Sequence, residues 1–520
     1  MKIIIKLCCV ILSLSIISII CEAQDKKTNG KNEIRLGTGK IALGVCELFS
    51  PVPIPHGGLT KDSIDIHIIS QSILDKDGEF NEIPLNKTIL EDGLVVFYGE
   101  VPLECLSEVC NVSFYNGNGE FRGGIMVELN QAEPVQISVT LDNGTIFGFY
   151  IHNQNQPSGE EWQTIAGNIQ GALNTLLPDF IATDITLYEK SWQDVRKNQY
   201  DIVWPRILNK VNSYAPIPDS AKDWVINNVK LRFASQGILP YTGVYNVITG
   251  KSVEEPPMEA YSYLDSIDYS PEIFLTKSML MSQRNFLSNL LRYTCGGFEA
   301  IGETPVKEWQ EKLSEWLAPA MKERPKLLLD LLAGTSYVIQ IDREQTPLTN
   351  VQKKNIEEGF TDDIGKIVLK RNEKLEEALS TKVNLQDLSE KTFHLQEFID
   401  ANYPGKPVVV DMWNTWCGPC LQAMSQTEEI KGDYEDTNLV FLYVSDTSSD
   451  LKQWENRARL TGGEQVRINE ESKNALMDKY SLDGFPSYLF FDKDHKLVHA
   501  QTAFPGLDRY RALLNQLTVK

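Results

Sequence analysis

The clearest fold signal in the chain is residues 408–420, which read VVVDMWNTWCGPC. Five of the first six residues are apolar and the sixth is the acid Asp411, which predicts a strand buried on both faces of a mostly parallel sheet. A turn at Cys417-Gly418-Pro419-Cys420 then leads into a helix that continues through Leu421 and Met424. The sequence therefore predicts a strand, a turn and a helix with two thiols at the helix start.

The position of the two thiols favours a reactive pair. Unpaired backbone N–H groups and the macrodipole at a helix N-terminus stabilise an anion, so a thiolate forms more easily there. Cys417 comes first and is expected to be the more exposed, which makes it the nucleophile, with Cys420 as the resolving thiol. Pro419 has no N–H to leave unpaired and already has a helical φ, so it suits the first turn.

Three further residues surround this pair. A carboxylate in an apolar strand is costly to bury, so we interpret Asp411 as the group that exchanges a proton with Cys420 through water; a simple polar contact in the strand is the alternative. Trp416 is expected to pack beside the thiols. Pro486 opens the apolar run at residues 488–491, and we predict a cis Phe485–Pro486 bond.

Residues 388–520 resemble the thioredoxin fold, and more narrowly the periplasmic TlpA/ResA group of thiol-disulfide oxidoreductases. The resemblance is carried by Asp411, by residues 416–420, and by Pro486 before two hairpin strands at 488–492 and 496–500. It implies that Cys417 attacks a substrate disulfide, that Cys420 resolves the mixed disulfide, and that the proline loop lies against the substrate. The predicted substrate-binding residues are Trp416, Gly418, Pro419, Phe485 and Pro486.

Two positions depart from the pattern of that group. Relatives usually have a proline five residues after the second cysteine, where this chain has Ser425, so the sequence imposes no helix kink. The position after the second cysteine is often basic, and here it is Leu421. The surface beside the thiols is therefore predicted to be less cationic than in those relatives.

Other uses of the two cysteines fit the sequence poorly. A CxxC can be half of a zinc site, but no second CxxC or nearby Cys/His pair supplies the other ligands. A purely structural 417–420 disulfide would close a very short loop and remove little chain entropy. No HExxH, GxSxG or phosphate-loop pattern occurs elsewhere in the chain. We therefore predict no metal and no cofactor.

The N-terminus predicts export. Lys2 and Lys6 precede an apolar run at residues 7–21, and Cys21-Glu22-Ala23 precedes Gln24, as in a secretory signal peptide of residues 1–23. The uncharged run is short for a membrane-spanning helix. Lipid attachment at Cys21 is the alternative, although Ile20 is larger than the small residue that a lipobox prefers. The mature protein is thus expected in the periplasm or cell envelope.

Export has consequences for the cysteines. In an oxidising compartment, a CGPC protein that acts as a reductant needs electrons from a membrane-bound donor. Besides the reactive pair, the mature chain keeps four cysteines. Cys105 and Cys110 are five residues apart and are predicted to form a disulfide, whereas Cys46 and Cys295 are either paired or free buried thiols.

Charge and patterning define the rest of the chain. A net charge of −21 over 520 residues argues against nucleic acid or an anionic membrane surface as a partner. Residues 24–155 show short alternating runs between Gly-containing turns, which predict an antiparallel β-sandwich of about seven to nine strands. Residues 156–383 are predicted to be mainly helical, with helix starts at Ser270-Pro271-Glu272 and at Thr304-Pro305, and residues 384–520 form the thioredoxin-like domain.

Together these features predict an exported thiol-disulfide oxidoreductase that reduces protein disulfides through its CGPC dithiol. The alternative is a cell-envelope binding protein whose N-terminal domains bind a partner protein or a glycan, with the thioredoxin-like domain as a redox-regulated accessory. The sequence does not specify the substrate, the electron donor or the oligomeric state.

Overall fold

The structure is a computed structural model that describes residues 33–48, 54–70, 72–74, 81–90, 93–152, 185–213, 219–276, 286–380, 383–434 and 436–518. The predicted signal peptide and the alternative lipid site at Cys21 lie outside these residues. The chain divides into two compact units. Unit 1 contains residues up to 339 together with 349–369, and unit 2 contains residues 340–348 together with 370–520.

The N-terminal part of unit 1 is made of β-strands. The described residues form two sheets, with strand orders β4-β5-β1-β8-β9 and β3-β2-β6-β7. The strands are β1 (Ile34–Glu47), β2 (Asp65–Ser70), β3 (Asn81–Pro84), β4 (Asn86–Ile89), β5 (Val95–Cys105), β6 (Ser107–Tyr115), β7 (Phe121–Asn130), β8 (Val135–Asp142) and β9 (Thr145–Ile151).

One pairing corrects the expectation of a wholly antiparallel arrangement. Strands β1 and β8 run parallel, from Ile41 opposite Val135 to Glu47 opposite Leu141. Between them the chain forms β2 and β3 of the second sheet, β4 and β5 of the first, and β6 and β7 of the second before it returns to the first sheet as β8. This long crossover lets β8 enter in the direction of β1, whereas a short hairpin would have forced the antiparallel direction.

The predicted disulfide between Cys105 and Cys110 is wrong. Cys105 ends β5 and Cys110 lies within β6, so the two side chains belong to strands of different sheets, and both are buried free thiols. At this corner Glu108 Oε1 accepts the backbone N–H of Cys105 at 2.7 Å. Burial raises the pKa of Glu108 to about 8, with the nearby Glu104 as a smaller cause. Cys46 and Cys295 are also free thiols.

The described residues of unit 1 that follow β9 are mainly helical. The helix predicted at Thr304-Pro305 is confirmed, with Val306, Trp309, Leu313 and Leu317 buried along one face. After Pro271 the described chain forms a short π-helical segment, and residues 277–285 lie outside the described part. The helices are α1 (Ile185–Tyr188), α2 (Trp192–Asn198), α3 (Trp204–Ser213), α4 (Asp219–Phe233), α5 (Tyr241–Thr249), α6 (Phe286–Tyr293), α7 (Val306–Leu317), α8 (Lys326–Val338), α9 (Asn350–Gly359) and α10 (Ile364–Leu379), with a 3₁₀ segment at Met258–Ser266 and π-helical segments at Gln199–Val203, Ala234–Ile238, Glu272–Thr276 and Ile339–Arg343.

Unit 2 is built around one six-stranded sheet of order β10-β13-β12-β11-β14-β15. Its central strand β11 pairs parallel with β12 and antiparallel with β14, and all five of its residues are buried. The elements are β10 (Asn384–Asp387), α11 (Leu395–Asn402), β11 (Val408–Met412), α12 (Gly418–Gly432), β12 (Val440–Asp446), α13 (Leu451–Thr461), β13 (Glu464–Ile468), α14 (Glu470–Tyr480), β14 (Ser487–Phe491), β15 (Leu497–Thr502) and α15 (Leu507–Thr518).

The two faces of this sheet carry separate apolar clusters. Residues of α11 and α14 pack on the face that holds Val408, Val410 and Met412. Residues of α12 and α15 pack on the opposite face around Val409. The alternation along β11 therefore directs Asp411, two residues after Val409, to the face that α12 and α15 cover. Among the described residues, no helix is both long enough and apolar enough to cross a membrane.

A segment from the helical region is part of unit 2. We name residues 340–348 the clasp. Asn456 Nδ2 on α13 donates to the carbonyl oxygen of Gln345 at 2.8 Å, and the Arg457 guanidinium donates to the carbonyl oxygen of Arg343. The carboxamide oxygen of Asn372, on α10, accepts the backbone N–H of Leu348 at 2.7 Å. Polar contacts therefore hold the clasp in its middle, at Arg343 and Gln345, and at its last residue, Leu348.

Candidate functional site

Cys417 and Cys420 lie at the start of α12, just after the turn that follows β11. Cys417 is the N-cap residue of α12, and the backbone N–H of Cys420 donates to Cys417 Sγ at 3.2 Å. The two sulfurs form a disulfide. Cys417 is the more exposed of the two, at 4% against 1% for Cys420. The sulfur of Cys417 thus faces the unpaired N–H groups of the helix, which is the position that stabilises a thiolate.

Asp411 is the one acidic residue of β11. It is 6% exposed, and its Oδ1 atom has no hydrogen-bond partner within the described part of the chain. Burial raises the pKa of Asp411 to about 7, and the ammonium of Lys431 near the end of α12 opposes this shift. A carboxyl with such a pKa can hold or release a proton near neutral pH, which a proton-exchanging group requires.

Two aromatic residues border the disulfide. Trp416 is 60% exposed, and its indole Nε1 donates to Ser448 Oγ at 2.8 Å. Its ring meets the ring of Phe485 edge-on, with centroids 5.8 Å apart. Phe485 in turn packs against the cluster that contains both cysteines. The structure therefore brings the segment before the proline to the thiols, although the two are far apart in sequence.

The Phe485–Pro486 peptide bond is cis, as the sequence predicted. The carbonyl oxygen of Pro486 accepts the backbone N–H of Ala503 at 2.8 Å, so the start of β14 is tied to the end of β15. Ser487, the first residue of β14, is fully buried, and its hydroxyl donates to the carbonyl oxygen of Gly484 at 2.6 Å. These bonds fix the proline loop beside Phe485.

Sequence analysis did not predict the buried polar network around Asn414, in the turn between β11 and Cys417. The side chain of Asn414 is fully buried, and its Nδ2 donates to Asp446 Oδ2 at 2.9 Å. Its Oδ1 accepts the hydroxyls of Ser445 at 2.9 Å and Ser449 at 2.8 Å, and the backbone N–H of Asp446 at 3.1 Å. The carbonyl oxygen of Asn414 accepts the N–H of Cys417 at 3.0 Å. Asn414 thus joins the turn before the thiols to the loop that follows β12.

A signal for this network does exist in the sequence. Asn414 follows β11, and Ser445, Asp446 and Ser449 lie at or beyond the end of β12. The carboxyl ends of adjacent parallel strands meet at one edge of a sheet, so polar residues after both strands are expected to lie together. Singly, however, such residues are common in turns, and only the strand order shows that they meet.

The disulfide rests on an apolar layer. Both cysteines pack with Trp413 of the turn, Tyr443 of β12 and Trp454 of α13, each at most 2% exposed. This layer keeps solvent away from the resolving thiol Cys420. Among the described residues, no three His, Cys, Asp or Glu side chains are arranged to hold a metal ion.

A protein-family model described as thioredoxin-like matches residues 405–497. Residues 405–497 form a thioredoxin-like domain. All of the predicted site residues, from Asp411 to Pro486, lie within it. Since the disulfide follows the central strand and the cis proline opens a neighbouring strand, the geometry of the site agrees with this assignment.

Similar proteins carry the same type of domain. Over 116 residues the chain is 28% identical to the thiol-disulfide oxidoreductase YkuV of Bacillus subtilis, which covers 22% of this chain and 77% of that protein. It is 25% identical over 134 residues to the thiol-disulfide oxidoreductase ResA of Bacillus thuringiensis, covering 25% of this chain and 72% of that protein. A solved structure of a lipoprotein thioredoxin from Streptococcus pneumoniae is 27% identical, covers 22% of this chain and 89% of that chain, and has a TM-score of 0.20.

The thioredoxin-like domain is therefore of the thiol-disulfide oxidoreductase type. The two named relatives match it over about a quarter of the chain, so they describe this domain and not the residues before it.

Proposed function

We propose that the chain is an exported thiol-disulfide oxidoreductase that reduces protein disulfides through Cys417 and Cys420. The observation that carries this proposal is the disulfide between these residues at the N-terminus of α12, on the same sheet face as a buried carboxyl with a pKa of about 7. The helix terminus favours the thiolate of Cys417. The carboxyl of Asp411 supplies a proton acceptor on the sheet face where the cluster around Val409 packs.

The reaction uses the reduced dithiol. The Cys417 thiolate attacks one sulfur of the substrate disulfide, forming a mixed disulfide while the other substrate sulfur leaves as a thiolate and takes a proton from solvent. Cys420 then gives its proton to Asp411 and attacks Cys417. The 417–420 disulfide forms as the bond to the substrate breaks, so the substrate gains the two electrons that the dithiol loses.

The surface beside Cys417 supports an uncharged contact region for the substrate. From Met412 to Thr427 the chain has no charged residue, and the exposed Trp416 ring and the adjoining Phe485 ring border the disulfide. We assign substrate contact to Trp416, Gly418, Pro419, Phe485 and Pro486. The partner is a disulfide-containing protein, and nucleic acid is disfavoured by the net charge of −21.

The remaining parts of the proposal rest on the sequence. Residues 1–23 act as a signal peptide that directs the chain to the periplasm or cell envelope, where a membrane-bound donor re-reduces the disulfide. We also propose that residues 24–155 form a β-sandwich domain, residues 156–383 a mainly helical region and residues 384–520 the thioredoxin-like domain.

The direction of electron flow can be tested with the purified mature protein. Equilibration in glutathione or dithiothreitol buffers, followed by counting of free thiols, gives the reduction potential of the 417–420 pair. A reductase is expected to have a potential near that of thioredoxin, about −270 mV. A value near that of a strong oxidant, about −120 mV, would contradict the proposed direction.

Substrates can be captured with a trap variant. Because Cys420→Ala removes the resolving thiol, mixed disulfides at Cys417 should accumulate, and mass spectrometry should locate the cross-link on that residue. Cys295→Ala is a matched control, since it removes a partly exposed free thiol outside the thioredoxin-like domain. Equal cross-linking in the two variants would show that capture does not depend on the proposed mechanism.

A second candidate function is supported by the outer face of the β2–β6–β7 sheet. The ring of Tyr115 lies 4.8 Å from the ring of His67 and 5.9 Å from that of Phe121, which is 57% exposed. Asp65 and Glu82 flank His67. Such a surface favours the alternative in which unit 1 binds a partner protein or a cell-envelope glycan. In that case Cys417→Ala would retain binding and lose only disulfide chemistry.

A further inference from the structure

Three polar side chains form a row across the sheet beneath α12. Asp411 on β11 lies directly opposite Tyr443 on β12 and directly opposite Tyr488 on β14. Residues that face each other in a strand pair project to the same side of the sheet. The carboxyl of Asp411 is therefore flanked by two phenol side chains on the face that α12 and α15 cover.

Two buried polar atoms in this row lack a hydrogen-bond partner within the described residues. They are Asp411 Oδ1 and the hydroxyl of Tyr488, in side chains that are 6% and 1% exposed. A buried polar group without a partner is energetically costly, so two such groups on neighbouring positions are expected to share a partner. A buried water typically bridges polar groups of this kind.

The other groups that face Asp411 do not replace that partner. Tyr510 of α15 lies 5.9 Å from the Tyr488 ring, and the Lys431 ammonium of α12 lies 5.0 Å over the Tyr443 ring. The Lys431 charge opposes the raised pKa of Asp411, and the Asp411 charge in turn helps to raise the pKa values of Tyr488 and Tyr510. Cys420 belongs to the adjoining cluster at the start of α12. Among these groups, Tyr488 carries the neutral hydroxyl for which the described residues provide no hydrogen-bond partner.

We propose that Asp411 Oδ1 and the Tyr488 hydroxyl hold one water molecule between them, and that Tyr488 is a positioning residue for proton exchange between Asp411 and Cys420. This inference rests on the proposed function for the role of Cys420. The placement of the water rests on the geometry alone.

The Cys420 S–H proton passes to the water, and a proton of that water passes to the Asp411 carboxylate. The Cys420 sulfur then bonds to Cys417 Sγ as the bond between Cys417 and the substrate sulfur breaks, and that sulfur leaves as a thiolate. Tyr488 gains and loses no proton during these transfers, because its hydroxyl only donates a hydrogen bond to the water that solvates the carboxylate.

Tyr488→Phe removes the hydroxyl and keeps the ring. Without this donor the Asp411 carboxylate is less well solvated, so its pKa is expected to rise by about half a unit, which is roughly a threefold gain in proton affinity. The ¹³C carboxyl resonance of Asp411 in the oxidised full chain reports this pKa. The pH midpoint of the resolving step, followed by quenched-flow decay of the mixed disulfide with a disulfide-bonded peptide, should shift upward by the same amount.

Tyr480→Phe is the matched control. Tyr480 ends α14, its hydroxyl is also buried without a partner among the described residues, and it packs edge-on against Phe491 on the opposite sheet face. It should leave both the Asp411 titration and the pH midpoint unchanged. Equal shifts in Tyr480→Phe and Tyr488→Phe would mean that a general loss of packing, and not the shared water, caused the change.

Two outcomes separate this inference from the proposed function. If wild type reduces no disulfide while Tyr488→Phe still shifts the Asp411 titration, the proposed function fails and the shared water stands. If wild type is an active reductase and Tyr488→Phe shifts neither midpoint, the inference is wrong. A crystal structure of wild type without an ordered water within hydrogen-bond distance of both atoms would overturn it independently of activity.

Discussion

Asp411 makes the stability of the thioredoxin-like domain depend on pH. Its pKa is raised by burial from 3.8 to about 7 in the folded protein. Below about pH 4 the carboxyl is protonated in both the folded and the unfolded state, so it costs nothing there. Between about pH 4 and 7 the unfolded state ionises first, and folding loses up to about 4 kcal/mol across this window as the pH rises.

Asp411→Asn should remove this dependence. We expect the free energy of opening of β11 to be flat between pH 4 and 8 in the variant and higher than that of wild type at pH 8, because the amide needs no desolvation of a charge. Hydrogen exchange of peptides that cover residues 408–412 in the oxidised full chain measures this energy. Glu397→Gln, which changes an exposed carboxyl on α11, is the control and should keep the wild-type slope. An unchanged slope in Asp411→Asn would show that Asp411 is ionised in the folded state.

At the level of elements, the N-terminus of α12 is positioned by the loop after β12. Asn414 makes four hydrogen bonds from a fully buried side chain to Ser445, Asp446 and Ser449, and its backbone carbonyl holds Cys417. Asn414→Ala leaves these buried partners unpaired. We expect a loss of about 3 kcal/mol in the opening energy of the turn that carries the thiols.

The control for Asn414→Ala is Asn402→Ala. Asn402 is exposed near the end of α11 and makes one side-chain bond, from Nδ2 to the carbonyl oxygen of Phe398 at 2.8 Å. Its removal should cost less than about 1 kcal/mol. Hydrogen exchange over residues 413–421 distinguishes the two variants. Similar small losses in both would mean that the network around Asn414 does not hold the turn.

The sequence predicted those elements that depend on neighbouring residues alone. The apolar run with one acid, the Gly-Pro turn and the proline before an apolar strand each specify their own element, and β11, α12 and the cis bond before β14 follow from them. The parallel pairing of β1 with β8, the separation of Cys105 from Cys110 and the partners of Asn414 depend on which strands become neighbours. Side-chain periodicity specifies which face of a strand is buried, but it carries no information on the identity or direction of the next strand.

For the whole molecule, the clasp shows that unit 2 extends beyond the residues that resemble thioredoxin. Helical periodicity predicts residues 340–348 only as part of the helical region. The structure joins them to α13, whose Trp454 packs in the layer with both cysteines. The bonds from Asn456 and Arg457 end on backbone carbonyl oxygens, which are present at every residue, so no side-chain pattern in the clasp could have identified its partner.

The clasp should stabilise α13 through its attachments at Gln345 and Leu348 together. Asn456, which is 3% exposed, holds Gln345, and Asn372, which is 1% exposed, holds Leu348. Asn456→Ala in the full chain is expected to lower the opening energy of both α13 and residues 340–348 by about 1–2 kcal/mol, as hydrogen exchange would show. Gln453→Ala, on the exposed side of α13, should change neither segment.

A double-mutant cycle tests whether the attachments at Gln345 and Leu348 act together. If the clasp is held cooperatively, the loss of one attachment already weakens the other. The loss of opening energy in Asn456→Ala combined with Asn372→Ala should then be at least about 0.5 kcal/mol smaller than the sum of the losses in the two single variants. Strict additivity would mean that α13 and α10 bind separate pieces of chain. Non-additivity would instead make residues 340–348 a single support for α13, the helix that packs against the Cys417–Cys420 pair through Trp454.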